Sequence, residues 1–549
     1  VSGGGTSKSQ VTDRPSDDSG DPEAAAEQAE PGAEAAGTEP AGTEAAPTEI
    51  DATEAAATEV PAAPEETPTP PTSTPDRGPG AWIVLAFTVV SLVFGSAWAL
   101  TAPPFWGHDE ITQFGRAYQV SEGGFWPTQI EDDRGIAYGS DLPVEFSRLM
   151  GQALNDYTGA RDETEPMVDN PGAYTALEDA SPSDDLVPVW FTNTAAYSPV
   201  AYAPAATALV IARAVDASVG TTVLMTRLAG VLAYTLIVAI ALWVLRRRAF
   251  AWVPFTVAML PIAAFQAGTI TADTLTNALA LLVSALLAKA LFYRDRLGRV
   301  ETVLLGAAAI ALPLCKPSYI LLPLLAVLIP AALTAWPRLR RVPIVLPVLV
   351  GLVLFGLWTR LSAGTTEGMS LMRRPEQWYT VIPSEQMAGV LADPLGFGET
   401  FIRTVLLRDQ LYFVQFFGEL GFGYVNVPAV SIVAAIVGWL VAMSRSLRPQ
   451  TPRWVTAVSF LALLATTGMI FGTLYLSFTP VGFYIIDGVQ GRYFMPLAVV
   501  ASAVLLAWFG RRQPAGPGRA AAAVIIGSVV LAQAAALAKY GHVVWGAVV

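Results

Sequence analysis

YSPVAYAPAATALVIARAV, residues 197–215, is the stretch on which the topology of this chain turns. It is apolar enough to count as a bilayer span, and the arginines that follow it decide otherwise. If it crossed, Arg246, Arg247 and Arg248 would lie outside, and every later basic cluster would invert with them. If it only dips into the outer interface, the clusters at 246–248, 294–299, 338–341, 445–453 and 511–519 all fall on the inner side. The positive-inside rule then holds at every short loop. The segment therefore reads as an interfacial or re-entrant helix, with Pro199 and Pro204 working against a continuous span.

Around it, apolar runs of about 20 residues alternate with short arginine-rich loops or longer mixed segments, as bilayer-spanning helices require. Spans are expected near 81–101, 222–245, 250–270, 272–293, 301–315, 317–335, 342–361, 428–444, 454–478, 491–510 and 519–538. The expected fold is an all-α polytopic membrane protein with about 11 transmembrane helices. Two large segments, 102–221 and 362–427, then lie outside, and a short external C-terminus spans 539–549. Loops this long are usually functional or disordered, and the interspersed aromatics favour function.

Composition agrees. Apolar residues make up 53% of the 549, the mean hydropathy is +0.46, and charged residues reach only 14%, against roughly 25% in a soluble domain. The net charge of −13 belongs to one end: residues 1–80 hold 17 of the 46 acidic and 3 of the 33 basic side chains, which leaves a near-neutral body. That excludes a basic field for nucleic acid. The same 80 residues are Ala, Glu, Pro and Thr, too polar to bury a core, so a disordered cytoplasmic tail is expected. They have neither the charged nor the apolar region of a secretory signal. The single cysteine, Cys315, excludes a disulfide framework.

The candidate chemistry follows the first span, in WGHDEITQFGRAYQVSEGGFWP, residues 106–127. On a helical wheel Asp109, Thr112, Gln113, Arg116 and Gln119 share one side, and Ile111, Phe114 and Tyr118 the other. That is an amphipathic helix in the outer interface with its apolar face toward lipid. It sets Asp109 or Glu110 as a carboxylate base beside a cationic anion-binder, Arg116; the competing reading makes Asp109 a helix cap and Glu110 a dipole partner. Charges inside apolar runs are costly and mark function. Asp273 opens the fourth span, Lys316 sits at a proline-marked turn beside Tyr319, and Arg492 heads the tenth span beside Gln490 and Tyr493. All face outward on this topology. Lys316 and Arg492 together suit a phosphate. Arg227, in the second span, either snorkels to the headgroups or joins them. Glu419, among aromatics, either touches substrate or caps a turn. His108 has only His542 as a fellow histidine, so no metal site is expected and His108 reads as a solvated side chain. No cofactor is implied, and a divalent cation has no support in the sequence.

Six stretches, HDEITQFGRAYQVSEGG, NTAAYSPVAYAP, LPIAAFQAGTITADTLTNAL, KPSYILLPLL, GELGFGYVNVP and GVQGRYFMPLA, resemble in order the domain-of-unknown-function family twenty-one forty-two, over about residues 85–510. That family is similar to the GT-C superfamily of membrane glycosyltransferases. The resemblance implies a GT-C fold, a catalytic carboxylate in the first external loop at Asp109 or Glu110, an interfacial helix before the second span, and polyprenyl-phosphate-sugar donors. The family pattern has proline before the acidic pair and histidine three residues after the Glu, where this chain has His108 and Gln113.

The expected function is transfer of a sugar from such a donor to a cell-envelope glycan, lipid or protein acceptor on the outer face of the bacterial cytoplasmic membrane, with inversion. Asp109 or Glu110 is the expected base, and Arg116, Lys316 and Arg492 hold the donor phosphate. Tyr118, Asn193, Tyr197, Asp273, Tyr319, Trp378, Glu419, Gln490 and Tyr493 line the substrate. A transporter or flippase of lipid-linked saccharides is the alternative, disfavoured by the long external loops and the lack of an internal repeat. A non-enzymatic envelope scaffold anchored through the tail is the third.

Overall fold

The structure, a computed structural model, describes residues 78–131, 136–159, 166–365, 380–422, 424–511 and 518–546. The expected tail therefore lies outside the described residues, apart from its last three.

The body is an all-α polytopic bundle. Among the described residues, seven helices are long and apolar enough to cross a membrane: Trp82–Thr101, Val219–Leu245, Ala272–Phe292, Val342–Leu361, Arg453–Ser477, Gly491–Phe509 and Arg519–Trp545. The pair Ala249–Ala258 and Pro261–Ala267, bent by 64°, makes an eighth if counted as one span. This is fewer than the eleven expected, for two reasons: proline in two of the runs and length in two others. Pro261 breaks the 250–270 run, since its ring excludes the preceding residue from the helical region. Pro317, Pro323 and Pro330 divide 317–335 into short turns, of which Pro317–Leu328 is the longest apolar helical piece. The Arg299–Cys315 and Ala429–Arg445 helices have 17 residues each, at the lower limit for about 30 Å of hydrocarbon. The 197–215 run forms Pro199–Ala214, one of the shorter apolar helices.

Polar bonds inside the bundle fix its register. Ser91 and Thr235 share a hydroxyl bond of 2.7 Å between the first two long helices. Trp98 donates to Gln533 at 3.0 Å, and Gln533 donates on to the Met259 carbonyl at 2.9 Å. The last helix is thereby locked to the first and to the bent pair. In an apolar medium each such bond replaces an unsatisfied group, so it specifies alignment more than it adds stability.

The basic loops meet at one end. Gly78 and Gly80 donate to the Arg247 and Arg246 carbonyls, and Arg248 pairs with Asp295 at 2.6 Å. Tyr293 donates to Leu447, Arg448 to Arg511 and Arg296 to Thr334. The opposite end carries the long connecting segments. In the first, a three-stranded antiparallel sheet, Gln129–Ile130, Ala137–Pro143 and Leu186–Trp190, packs with the Val144–Gly159 helix, on which the Pro171–Glu178 helix packs in turn. In the second, the Pro394–Gly418 helix leads into a hairpin, Glu419–Leu420 with Val425–Asn426.

The Glu110–Ser121 helix departs from expectation. Its apolar face does not meet lipid: Phe114 is fully buried against Phe105 and Phe146, and Gln113, Arg116 and Gln119 are buried as well. The sheet and the Val144–Gly159 helix, contributed from later in the chain, supply the cover that local periodicity does not reveal.

Candidate functional site

The two adjacent carboxylates have different fates. Glu110 is buried and accepts four hydrogen bonds: from Arg227 Nε at 2.8 Å and Nη2 at 2.7 Å, from Gly107 N–H at 2.8 Å and from Ile270 N–H at 2.9 Å. Arg227 uses its remaining donors on the Ala99, Ala102 and Pro103 carbonyls, at 3.0, 2.6 and 2.8 Å. Ala99 and Ala102 are carbonyls that the end of the first helix leaves without intrahelical partners, and Pro103 follows the cap. Gly107 makes this possible, because a Cβ there would stand 2.8 Å from Thr269 and 2.9 Å from the Glu110 carboxylate. Arg227 therefore does not snorkel, and Glu110 is a clasp between helices.

The Asp109 carboxylate makes no hydrogen bond among the described residues. The residue's backbone is left-handed (φ 54°, ψ 22°), which asparagine and aspartate tolerate best among side-chain-bearing residues, and its carboxylate makes no capping bond. The side chain is 30% exposed and looks toward Arg492 Nη2 at 3.8 Å. Burial raises the Asp109 carboxyl above its ordinary range; Arg492 and Lys316 oppose the rise and Asp273 adds to it.

Around Asp109 stands a charged cluster drawn from four distant stretches. Asp273, at the start of the Ala272–Leu287 helix, accepts from Lys316 Nζ at 2.7 Å and Gln266 Nε2 at 2.9 Å, and faces Arg492 Nε at 3.7 Å. Gln266 is itself fixed by Asn277 at 2.9 Å. Lys316 lies 4.1 Å above the Tyr493 ring, a cation–π contact. Tyr319 donates to the Tyr493 carbonyl at 2.8 Å. Gly491 lets the Pro394–Gly418 helix press onto this turn, since a Cβ there would fall 2.0 Å from the Tyr412 carbonyl oxygen. Gln415 then spans both strands of the site, accepting from Gly491 N–H at 2.8 Å and donating to Glu419 at 2.7 Å. Burial raises the Glu419 carboxyl, against the Gln415 bond and Arg492.

Arg492 is the least satisfied member. It is buried at 6% exposure, its two carboxylates stand beyond hydrogen-bond distance, and Nε and Nη1 have no hydrogen-bond partner. A buried guanidinium with open N–H groups offers the forked donor geometry that suits phosphate.

Other expected residues fall apart from the cluster. Arg116 is fully buried and donates from Nη1 and Nη2 to Gln119 and to the Gly124, Phe125 and Tyr197 carbonyls, the last three at 3.1, 2.7 and 3.4 Å, which leaves only Nε without a partner. Burial pushes its pKa down to about 10. It braces a loop and has little left for a phosphate. Tyr118 packs on Phe114 and Phe146 under Arg213. Tyr197 borders Lys316, Asp273 and Tyr493 electrostatically. Asn193 is half-buried with an unpartnered Oδ1, and Gln490 precedes the Arg492 turn. Trp378 lies outside the described residues. His108, expected in solvent, is buried against Phe265 with Nδ1 unpartnered, and burial together with Arg492 holds its pKa well down. Among the described residues no group of three or more His, Cys, Asp or Glu side chains has a metal-holding arrangement.

The bundle also contains an apolar cavity of about 530 Å³, lined among others by Phe413, Phe416, Phe417, Trp439, Leu463 and by Phe494 from the turn that carries Arg492. The bundle and its buried charged cluster define a class, a multi-pass membrane protein with a polar site at one end of its helices. The chain belongs to the family described as "Predicted membrane protein (DUF2142)", whose model matches residues 92–501. No curated protein and no solved structure matches it.

Proposed function

We propose that this protein is a membrane glycosyltransferase of GT-C type, which transfers a sugar from a polyprenyl-phosphate-linked donor to an envelope glycan, lipid or protein acceptor with inversion. The observation that carries the reading is Arg492: a buried guanidinium with two unfilled N–H positions, held between Asp109 and Asp273, two residues before Phe494, which lines an apolar cavity. A phosphodiester with an isoprenoid tail matches both halves, with the phosphate at Arg492 and the tail among Phe413, Phe417 and Phe494.

Asp109 is the base. Its carboxylate takes the proton of an acceptor hydroxyl, whose oxygen attacks the anomeric carbon from the face opposite the phosphate. The bond from that carbon to the phosphate oxygen breaks, and its electron pair leaves with the polyprenyl phosphate. Arg492 and Lys316 face the charge that develops there, the arrangement by which preorganised donors lower a barrier most. Glu110 is excluded from this role because four donors already occupy its oxygens. Tyr197, Tyr319, Tyr493 and Glu419 line the sugar.

The reading includes an orientation. With five basic loops at the opposite end, the positive-inside rule puts that end and the tail in the cytoplasm and the site outside. It also includes three further crossings, by 299–315, 317–333 and 429–445. Each runs between a residue bonded at the basic end and one at the site end, as 299–315 does from Glu301, paired with Lys289, to Lys316, paired with Asp273.

Purified chain in nanodiscs, titrated with decaprenyl phosphate, tests the donor half: binding is expected, and Arg492→Gln is expected to abolish it. Equal binding by wild type and R492Q refutes it. Asp109→Asn assayed for transfer in membranes tests the chemistry, and full activity in D109N ends the proposal.

A further inference from the structure

Phe125 and Trp126, in the loop after the Glu110–Ser121 helix, are 51% and 58% exposed. Trp126 stacks on Trp358, with ring centroids 6.0 Å apart and planes 20° from parallel. Trp358 lies near the C-terminal end of the Val342–Leu361 helix, which is apolar up to Arg360 and buries only Ile344, Val348 and Gly351. Leu346, Val350, Val353, Leu357 and Leu361, spaced three or four apart, form an exposed seam on it. The aromatic pair therefore continues a lipid-facing surface at the level where that helix ends.

Three bonds tie this patch to the polar site. Trp358 Nε1 donates to the Ala196 carbonyl at 2.8 Å. Arg116 donates to the Phe125 carbonyl at 2.7 Å and to the Tyr197 carbonyl at 3.4 Å. Residues 196 and 197 are thus gripped from the loop side and from the helix side, and the Pro199–Tyr202 turn that follows them packs on the Ala272–Leu287 helix, which carries Asp273, and on the Arg299–Cys315 helix, which leads into Lys316.

We propose that Phe125, Trp126 and Trp358 form a membrane-docking surface that inserts into the headgroup region of the leaflet next to the site, and that this insertion holds the 196–197 backbone and hence Tyr197 over the charged cluster. The occupant is the bilayer interface, where tryptophan is enriched because its ring is apolar and its N–H is polar. Continuity with the exposed seam of the Val342–Leu361 helix favours lipid over a soluble partner. The buried Glu110–Ser121 helix cannot serve this purpose, so docking passes to the loop it carries.

The test uses the full chain with Cys315→Ala, which leaves no native thiol, and a nitroxide attached at Phe125→Cys or, as a control on the sheet, at Leu186→Cys, in phosphatidylcholine–phosphatidylglycerol liposomes. At position 125 collisions with oxygen should exceed those with a water-soluble nickel chelate, and the ratio should reverse at 186. Adding Trp358→Ala should shift the 125 label toward the nickel-accessible side while 186 stays unchanged. A label at 125 as nickel-accessible as at 186 overturns the proposal. So does protection at 125 that appears only when a soluble glycan such as dextran is added, which would make the patch a carbohydrate platform.

Discussion

Replacing Arg227 with methionine keeps most of the side chain's length and removes its charge, and the structure states what is then left behind. Glu110 loses two of its four donors while staying buried, the Ala99 and Ala102 carbonyls lose their side-chain donor, and the Pro103 carbonyl keeps only the Trp106 N–H. Breaking one partner of a buried ion pair costs about 3–5 kcal/mol, because the other charge stays desolvated. At 1.36 kcal/mol per decade that is a fall of roughly two to four decades in the folding equilibrium. The assay is reversible unfolding in mixed detergent micelles followed by circular dichroism, run as a cycle with Glu110→Leu and the double variant. Arg227→Met and Glu110→Leu should each be strongly destabilised, and the double variant should be less so than their sum by about 1–3 kcal/mol. Strict additivity, or an Arg227→Met protein as stable as wild type, refutes the clasp. It would also restore Glu110 as a candidate base, since its exclusion rests on those same bonds.

Three other outcomes are expected. Asp109→Asn should lose transfer activity while its unfolding free energy stays within about 0.5 kcal/mol of wild type, as for a substitution that breaks no hydrogen bond; a large loss of stability with activity per folded molecule intact would refute the assignment. Because burial lifts the Asp109 carboxyl and a base acts in its ionised form, the rate should rise with pH along a limb above the ordinary carboxylate range, checked by a kcat/KM–pH profile; a limb below pH 4 refutes it. Ala501→Trp, which places an indole in the apolar cavity, should weaken binding of decaprenyl phosphate at least tenfold, by loss of the tail's burial, and leave inorganic phosphate unaffected; equal weakening of both refutes a tail site there.

The membrane class, the long helices and most of the cluster were legible in the sequence for one reason: a charge in an apolar run is expensive enough to announce itself. Asp273, Lys316 and Arg492 each stood out in this way, and the structure brings them within 4 Å of one another or of Asp109. What local patterns did not carry were the partnerships made at long range. Glu110 and Arg227 are 117 positions apart, and nothing near either one distinguishes a clasp from a catalytic carboxylate. The wheel of the Glu110–Ser121 helix correctly separates a polar from an apolar side, but lipid and a folded segment are equally good apolar neighbours, so only the arrival of Phe146 decides between them. His108 was misread because a histidine beside two carboxylates has no local signal for burial. Gln266 carried a usable signal that went unused: an amide in the middle of LPIAAFQAGT has to find partners, and it finds Asp273 and Asn277.

The same economics explain why the acidic pair is adjacent in sequence. The chain leaves the first helix with carbonyls to satisfy, and Arg227 satisfies them only if a carboxylate neutralises it in place. Glu110 supplies that charge and, in doing so, fixes the backbone of the residue before it. Asp109 is consequently presented from a rigid left-handed turn, with no bond of its own, toward a guanidinium that has N–H groups to spare. If Asp109 is the base, Glu110 is what aims it. A conservative Glu110→Gln protein, stabilised enough to fold, should then lose more in kcat than in its affinity for decaprenyl phosphate. Loss confined to affinity would place Glu110 with the binding groups and break this account of the pair.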